Sequence, residues 1–133
     1  MLGNLGVAYK HLGDTHRAIE FYEQALPIHR EIGDRRGEGI ALGNLGFAYA
    51  AQGETHLAIQ FFEQRLTIAR EIGDRRGEGN ALWNMSLALD QLGARTQAIQ
   101  HAAQALTIFE QIEDPYAANM RAQLAAWREQ TDT

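Results

Sequence analysis

Three asparagines, Asn4, Asn44 and Asn84, recur at intervals of forty residues. An asparagine amide carries a donor and an acceptor together, so it can pair with a peptide backbone whatever side chains that peptide bears. A second recurrence is the phrase REIGDRRGEG, at 30–39 and again at 70–79. Glycines among polar residues can cradle a phosphate, but a Walker loop needs G-x-x-x-x-G-K-[ST] after a strand. This phrase has no lysine, serine or threonine, and helix-forming sequence precedes it. It reads instead as a joint. Gly33 and Gly73 fall where a helix C-cap belongs, Asp34 and Asp74 where an N-cap belongs, and Glu38 and Glu78 suit the positive end of the next helix.

Other chemistry finds little support. The chain has 133 residues and no cysteine, which excludes disulfides, thiolate metal sites and thiol nucleophiles. His16 and His56 are repeat equivalents that one stack would hold apart, and no further metal ligands accompany them. Glu63 and Glu71 lie on a polar strip with nothing to retune them for acid–base work. No Ser/His/Asp set appears, so no enzyme, metal or cofactor is expected. A formal net charge of −5 argues against nucleic acid as the main partner. No apolar run approaches a membrane span and no signal peptide is evident, so a cytoplasmic setting without membrane contact is expected. The sequon-like Asn84–Ser86 lies mid-helix and carries no weight.

The elements that must position these residues follow from the repeat. Residues 2–40 placed over 42–80 agree at roughly two-thirds of positions, and a looser third copy begins at Leu82. Each copy reads as two helices. In the first helix of the second copy, Leu42, Leu45, Tyr49 and Gln52 share one face, and Gly46 beside them admits a second backbone. Gly53 ends that helix, and Glu54 or Thr55 starts the next. The second helix, over 55–72, has apolar residues around half its circumference. That is wider than the stripe of about 100° that one neighbour needs, so it must be covered on two sides. Pro27, inside the matching helix of the first copy, should kink it or cost about 3 kcal/mol. The Arg35, Arg36 and Arg75, Arg76 pairs read as solvated salt bridges to Glu38 and Glu78, each worth little.

The run Leu42, Leu45, Gly46, Tyr49, Ala58, Phe62 resembles the tetratricopeptide repeat. The first copy repeats it with Leu2, Leu5, Gly6, Tyr9, Ala18, Tyr22 and Ala25. The third keeps Leu82, Ala98 and Ala105 but has Ser86, Leu89 and Ala102 where Gly, Tyr and an aromatic are usual. A forty-residue period without the helix-ending proline is similar to the longer variety in Pins-type scaffolds, kinesin light chains and sensor arrays of bacterial signalling ATPases. The resemblance implies an all-α, right-handed superhelical solenoid of antiparallel helix pairs. Its units are expected at 1–33, 34–73 and 74–113, with a capping helix at 114–130 starting from Asp114 and Pro115 and presenting Tyr116, Met120, Leu124 and Trp127 to the third unit. The first helix is shorter than its equivalents, so the chain is expected to be the C-terminal piece of a longer array. Its bare first unit invites homo-oligomers by stacking.

The same resemblance implies a concave groove lined by the remaining face of the first helices, where partner peptides lie and where an asparagine holds the ligand's main chain. That face carries Asn4, Val7 and His11, with Lys10 at its margin, in the first unit. It carries Ile40, Gly43, Asn44, Phe47 and Ala51 in the second, and Asn80, Trp83, Asn84, Leu87 and Gln91 in the third. The asparagines could instead hydrogen-bond within the solenoid. Phe47, Trp83 and Leu87 are the apolar candidates for contact, although Leu87 could pack on an adjacent helix and Trp83, which replaces Gly3 and Gly43, could plug the groove. Charge there is sparse, Lys10 and Asp90 standing at the margins, so the cluster of Lys and Arg that clamps a C-terminal carboxylate is missing. The expected partner is a partly apolar protein segment, extended or helical. The competing reading is a spacer or self-associating module with no ligand.

Overall fold

The computed structural model describes residues 14–132. Its described elements are six helices: α1 (Thr15–Glu31), α2 (Arg35–Ala51), α3 (Thr55–Ile72), α4 (Arg75–Gln91), α5 (Arg95–Gln111) and α6 (Ala117–Asp132). Each packs on the helices before and after it in the chain, giving a right-handed superhelical solenoid of antiparallel pairs that α6 caps. No described helix is long and apolar enough to cross a membrane.

Local chemistry sets the helix ends. Asp34 Oδ1 accepts from the Gly37 amide at 2.9 Å, and Asp74 Oδ1 from the Gly77 amide at 3.0 Å. Each satisfies a donor that the first turn cannot pair internally. Glu54 precedes α3 without capping it through its side chain. At the long joints the chain turns through the left-handed region at Gly33 (φ 73°) and Gly73 (φ 72°). The amide that follows bonds back five residues, Asp34 N to His29 O at 2.8 Å and Asp74 N to Ala69 O at 2.9 Å. The third joint makes the same bond, Asp114 N to Phe109 O at 2.9 Å, but with Glu113 at φ 58° in the glycine's place.

One boundary differs from expectation. The last helix begins at Ala117 rather than Pro115. The Ala117 amide bonds Asp114 O at 3.0 Å and the Ala118 amide bonds Pro115 O at 3.2 Å, so a tight turn precedes the first α-helical bond, Met120 N to Tyr116 O. Pro27 lies within α1, which continues through it to Glu31. With no N–H, it leaves the Glu23 carbonyl without its usual i+4 donor.

The wide apolar face of α3 is covered on both sides, as its pattern requires. Ile68 joins a core with Tyr22, Leu26, Leu42 and Leu45, while Ala58, Phe62 and Leu66 join a second core with Leu82, Met85 and the cap residues Met120, Leu124 and Trp127. Gly46 does admit a close neighbour, but that neighbour is a ring rather than a backbone. A Cβ there would stand 2.5 Å from Phe62 Cε1. In the third unit the matching pair is Ser86, fully buried with its hydroxyl donating to Trp83 O at 2.6 Å, and Ala102. Bulk on one helix is thus matched by its absence on the other, which keeps both pairs close-packed.

The twice-written joint is also less solvated than the sequence implies. Glu38 is 6% exposed and lies between Arg30 (Nε to Oε2, 3.0 Å) and Arg35 (Nη1 to Oε1, 2.8 Å). Burial raises its carboxyl pKa, but the hydrogen bonds from Arg30 and Arg35 outweigh this and hold it below the ordinary range. Glu78 repeats the arrangement with Arg70 and Arg75. The second arginine of each phrase instead reaches forward to the next joint, Arg36 to Asp74 at 3.2 Å and Arg76 to Asp114. Asp114 lies below its usual range because it accepts from the Tyr116 amide and, next, from Arg76.

Candidate functional site

A groove of about 570 Å³ runs across the second and third units. Its apolar wall is built by Phe47 of α2 and Trp83 and Leu87 of α4, and Asn80 and Asn84 of α4 stand among them. Phe47 is 39% exposed and Leu87 38% exposed, so both present apolar surface to solvent. The backs of these positions are anchored, the Phe47 ring meeting Phe62 edge-on with centroids 5.6 Å apart. Packed helices therefore hold the lining, which lowers the ordering cost of binding.

The expected site residues divide five ways. Asn4, Val7, Lys10 and His11, with the first-unit stripe from Leu2 to Tyr9 and the bare face proposed for stacking, lie outside the described residues. Phe47, Asn80, Trp83, Asn84 and Leu87 are brought together in the groove. Asn44 is half-buried and Gln91 exposed, but neither lines it. Ile40, 41% exposed, lines a smaller neighbouring hollow with Arg36, Arg65 and Ile68. Asp90, expected at the margin, is held by Arg95 Nε at 2.6 Å.

Trp83 departs from its expected exposure. It is only 8% exposed, stacked on Trp127 of the cap with centroids 6.2 Å apart, and its plane meets Tyr116 at 85°. It neither projects freely nor fills the groove; it forms a fixed wall whose other face is core. Tyr116 departs in the opposite sense. Expected in the packed face of the last helix, it precedes that helix, is 44% exposed and lines the groove. The asparagines bear on the question left open above. Among the described residues, the amides of Asn44, Asn80 and Asn84 make no hydrogen bond to protein groups.

Sequence reasoning missed Arg65, Arg76, Asp114 and Phe109, all of which line the groove. Arg76 and Asp114 form a pair across its rim. Arg65 comes from α3, a second helix, and reaches the groove by lying over Gly43. A Cβ on Gly43 would stand 2.6 Å from Arg65 Nη1. A signal was present in the aligned copies. Gly43 and Arg65 become Trp83 and Ala105 in the third unit, another exchange of large and small between facing helices.

Comparison with known proteins agrees with this architecture. The chain superposes on the apo form of RapI with a TM-score of 0.90 at 19% identity, over 98% of this chain and 48% of RapI. BtubC (BKLC) from P. vanneervenii gives 0.87 at 20% identity, over 98% of this chain and 54% of that one. A putative kinesin light chain of Podosopora anserina with nearly identical TPR-like repeats gives 0.81 at 20% identity, over 95% and 63%. At these identities the likeness is one of fold, and the chain spans about half the length of the first two. Curated proteins give no match. A model of the tetratricopeptide repeat matches residues 1–71. The helix pairs, their joints and this match together identify the chain as a member of the tetratricopeptide repeat family.

Proposed function

We propose that this chain is a non-catalytic protein-interaction scaffold that holds a partly apolar segment of a partner in the groove across its second and third units. In this reading residues 1–33, 34–73 and 74–113 are the repeat units, 114–130 is the cap, and the whole acts within a cytoplasmic scaffold or sensor. The observation that carries it is the groove itself, where exposed Phe47 and Leu87 flank Asn80 and Asn84, amides with no protein partner among the described residues. Apolar area supplies affinity and unengaged amides suit the main chain of a ligand.

Peptides selected by display against the immobilised protein provide the test. Their affinity should fall about tenfold in an Asn80→Ala/Asn84→Ala variant, equivalent to about 1.4 kcal/mol, while its melting temperature stays near that of wild type. Unchanged affinity would remove the asparagines from the site.

A further inference from the structure

We propose that Arg65 receives a side-chain carboxylate from the middle of the bound segment, so that the partner carries an aspartate or glutamate between apolar residues. The inference rests on the groove reading above and adds the chemistry of the occupant.

The geometry begins at Gly43. Because that position has no side chain, the Arg65 stem crosses α2 there, with Cδ 2.9 Å and Nη1 2.6 Å from where a Cβ would be. The guanidinium thus enters the inner face beside Phe47 and Leu87. Other groove charges are engaged. Arg76 is held by Asp114 and Arg36 by Asp74, whose other oxygen accepts from the Gly77 amide. Asp74 attracts Arg65 only at longer range, and Arg65 makes no hydrogen bond or ion pair among the described residues.

A guanidinium has five donors in a fixed fork and keeps its charge. Half-buried without a partner, it forgoes hydration that only another acceptor can replace. A carboxylate matches the fork with two parallel bonds. Arg65 also lines the smaller hollow with Ile40 and Ile68, but at about 10 Å³ that hollow holds no more than a water, so the ligand-sized space lies on the main-groove side. With Arg76 held by Asp114, Arg65 stands alone as an unpaired cation in the described lining and lacks the Lys and Arg cluster that clamps a terminal carboxylate, which places the carboxylate on a side chain. Phe47 and Leu87 then set the apolar neighbours.

The test is selection of random twelve-residue peptides displayed with both ends blocked by carrier sequence. Wild type, Arg65→Gln, Arg65→Glu and a groove-blocked Phe47→Asp/Leu87→Asp variant are used in parallel, each with its helical circular dichroism checked. Wild type should enrich peptides with Asp or Glu at one position between apolar residues. Arg65→Gln should keep the apolar pattern but bind those peptides about tenfold more weakly, and Arg65→Glu should select Lys or Arg at that position. A wild-type consensus that is apolar but lacks the acidic residue would overturn the inference and leave the groove reading standing. Equal enrichment by the groove-blocked variant would overturn both. Should Arg65→Glu lose helicity, the Arg65→Gln comparison decides alone, and unchanged affinity there refutes the proposal.

Discussion

The second and third units fold the same way with opposite distributions of bulk. In the second, α2 is pared down to Gly43 and Gly46, and α3 supplies Arg65 and the Phe62 ring against them. In the third, α4 supplies Trp83 and Ser86, and α5 answers with Ala105 and Ala102. The total volume at each interface is kept while its owner changes. What differs is the surface left behind. The second unit can pass a cation across its first helix into the groove, whereas the third closes that route with an indole and ties it to the cap through Trp127. Repeats are thus alike in their packing requirement and individual in what they present.

The strongest way to break this comparison is to delete the ring on which the second unit depends. Phe62→Ala should destabilise the protein by about 3–5 kcal/mol in denaturant titrations, since Gly46 contributes no side chain to refill the space. The third unit sharpens it from the other direction. Ala102→Phe should cost about 1–3 kcal/mol by overpacking against Ser86, and adding Ser86→Gly should recover much of that loss. Equal stability of the single and double variants would show that the exchange of bulk is not what fits the helices together.

A smaller effect separates the two joints. Glu38 is more buried than Glu78, so Glu38→Gln should cost about 1–2 kcal/mol at neutral pH, and Glu78→Gln less. Because the folded Glu38 carboxyl titrates below its ordinary value, its contribution is present above that value, about pH 4.3, and is lost as pH falls through the lower folded one. The gap between wild type and Glu38→Gln should therefore close on acidification. The smallest effect compares Gly73 with Glu113, which share a left-handed turn. Glu113→Gly should stabilise by about 1 kcal/mol, seen as a rise in melting temperature.

Much of the fold was legible because its determinants are local. A glycine before an aspartate stops one helix and starts another, and the apolar pattern of 55–72 gave both the limits of α3 and its two-sided burial. The site was legible in part for the same reason. Helical periodicity placed Asn80, Asn84, Phe47 and Leu87 on one face, and they share the groove. What escaped depended on contacts between helices. Glu38 looks solvated until α1 and α2 meet around it, and Trp83 looks exposed until Trp127 arrives forty-four residues later. Arg65 belongs to a helix whose pattern says nothing of the groove. Only the paired differences between copies, Gly43 with Arg65 against Trp83 with Ala105, record that it crosses over.

The forward-reaching arginines have a mechanical consequence. Arg36 and Arg76 stitch each hinge to the following one, so the coil acts as a spring whose stiffness owes something to exposed charge. Salt that screens those stitches softens the spring. Its pitch would then give more readily under load while every helix stayed whole.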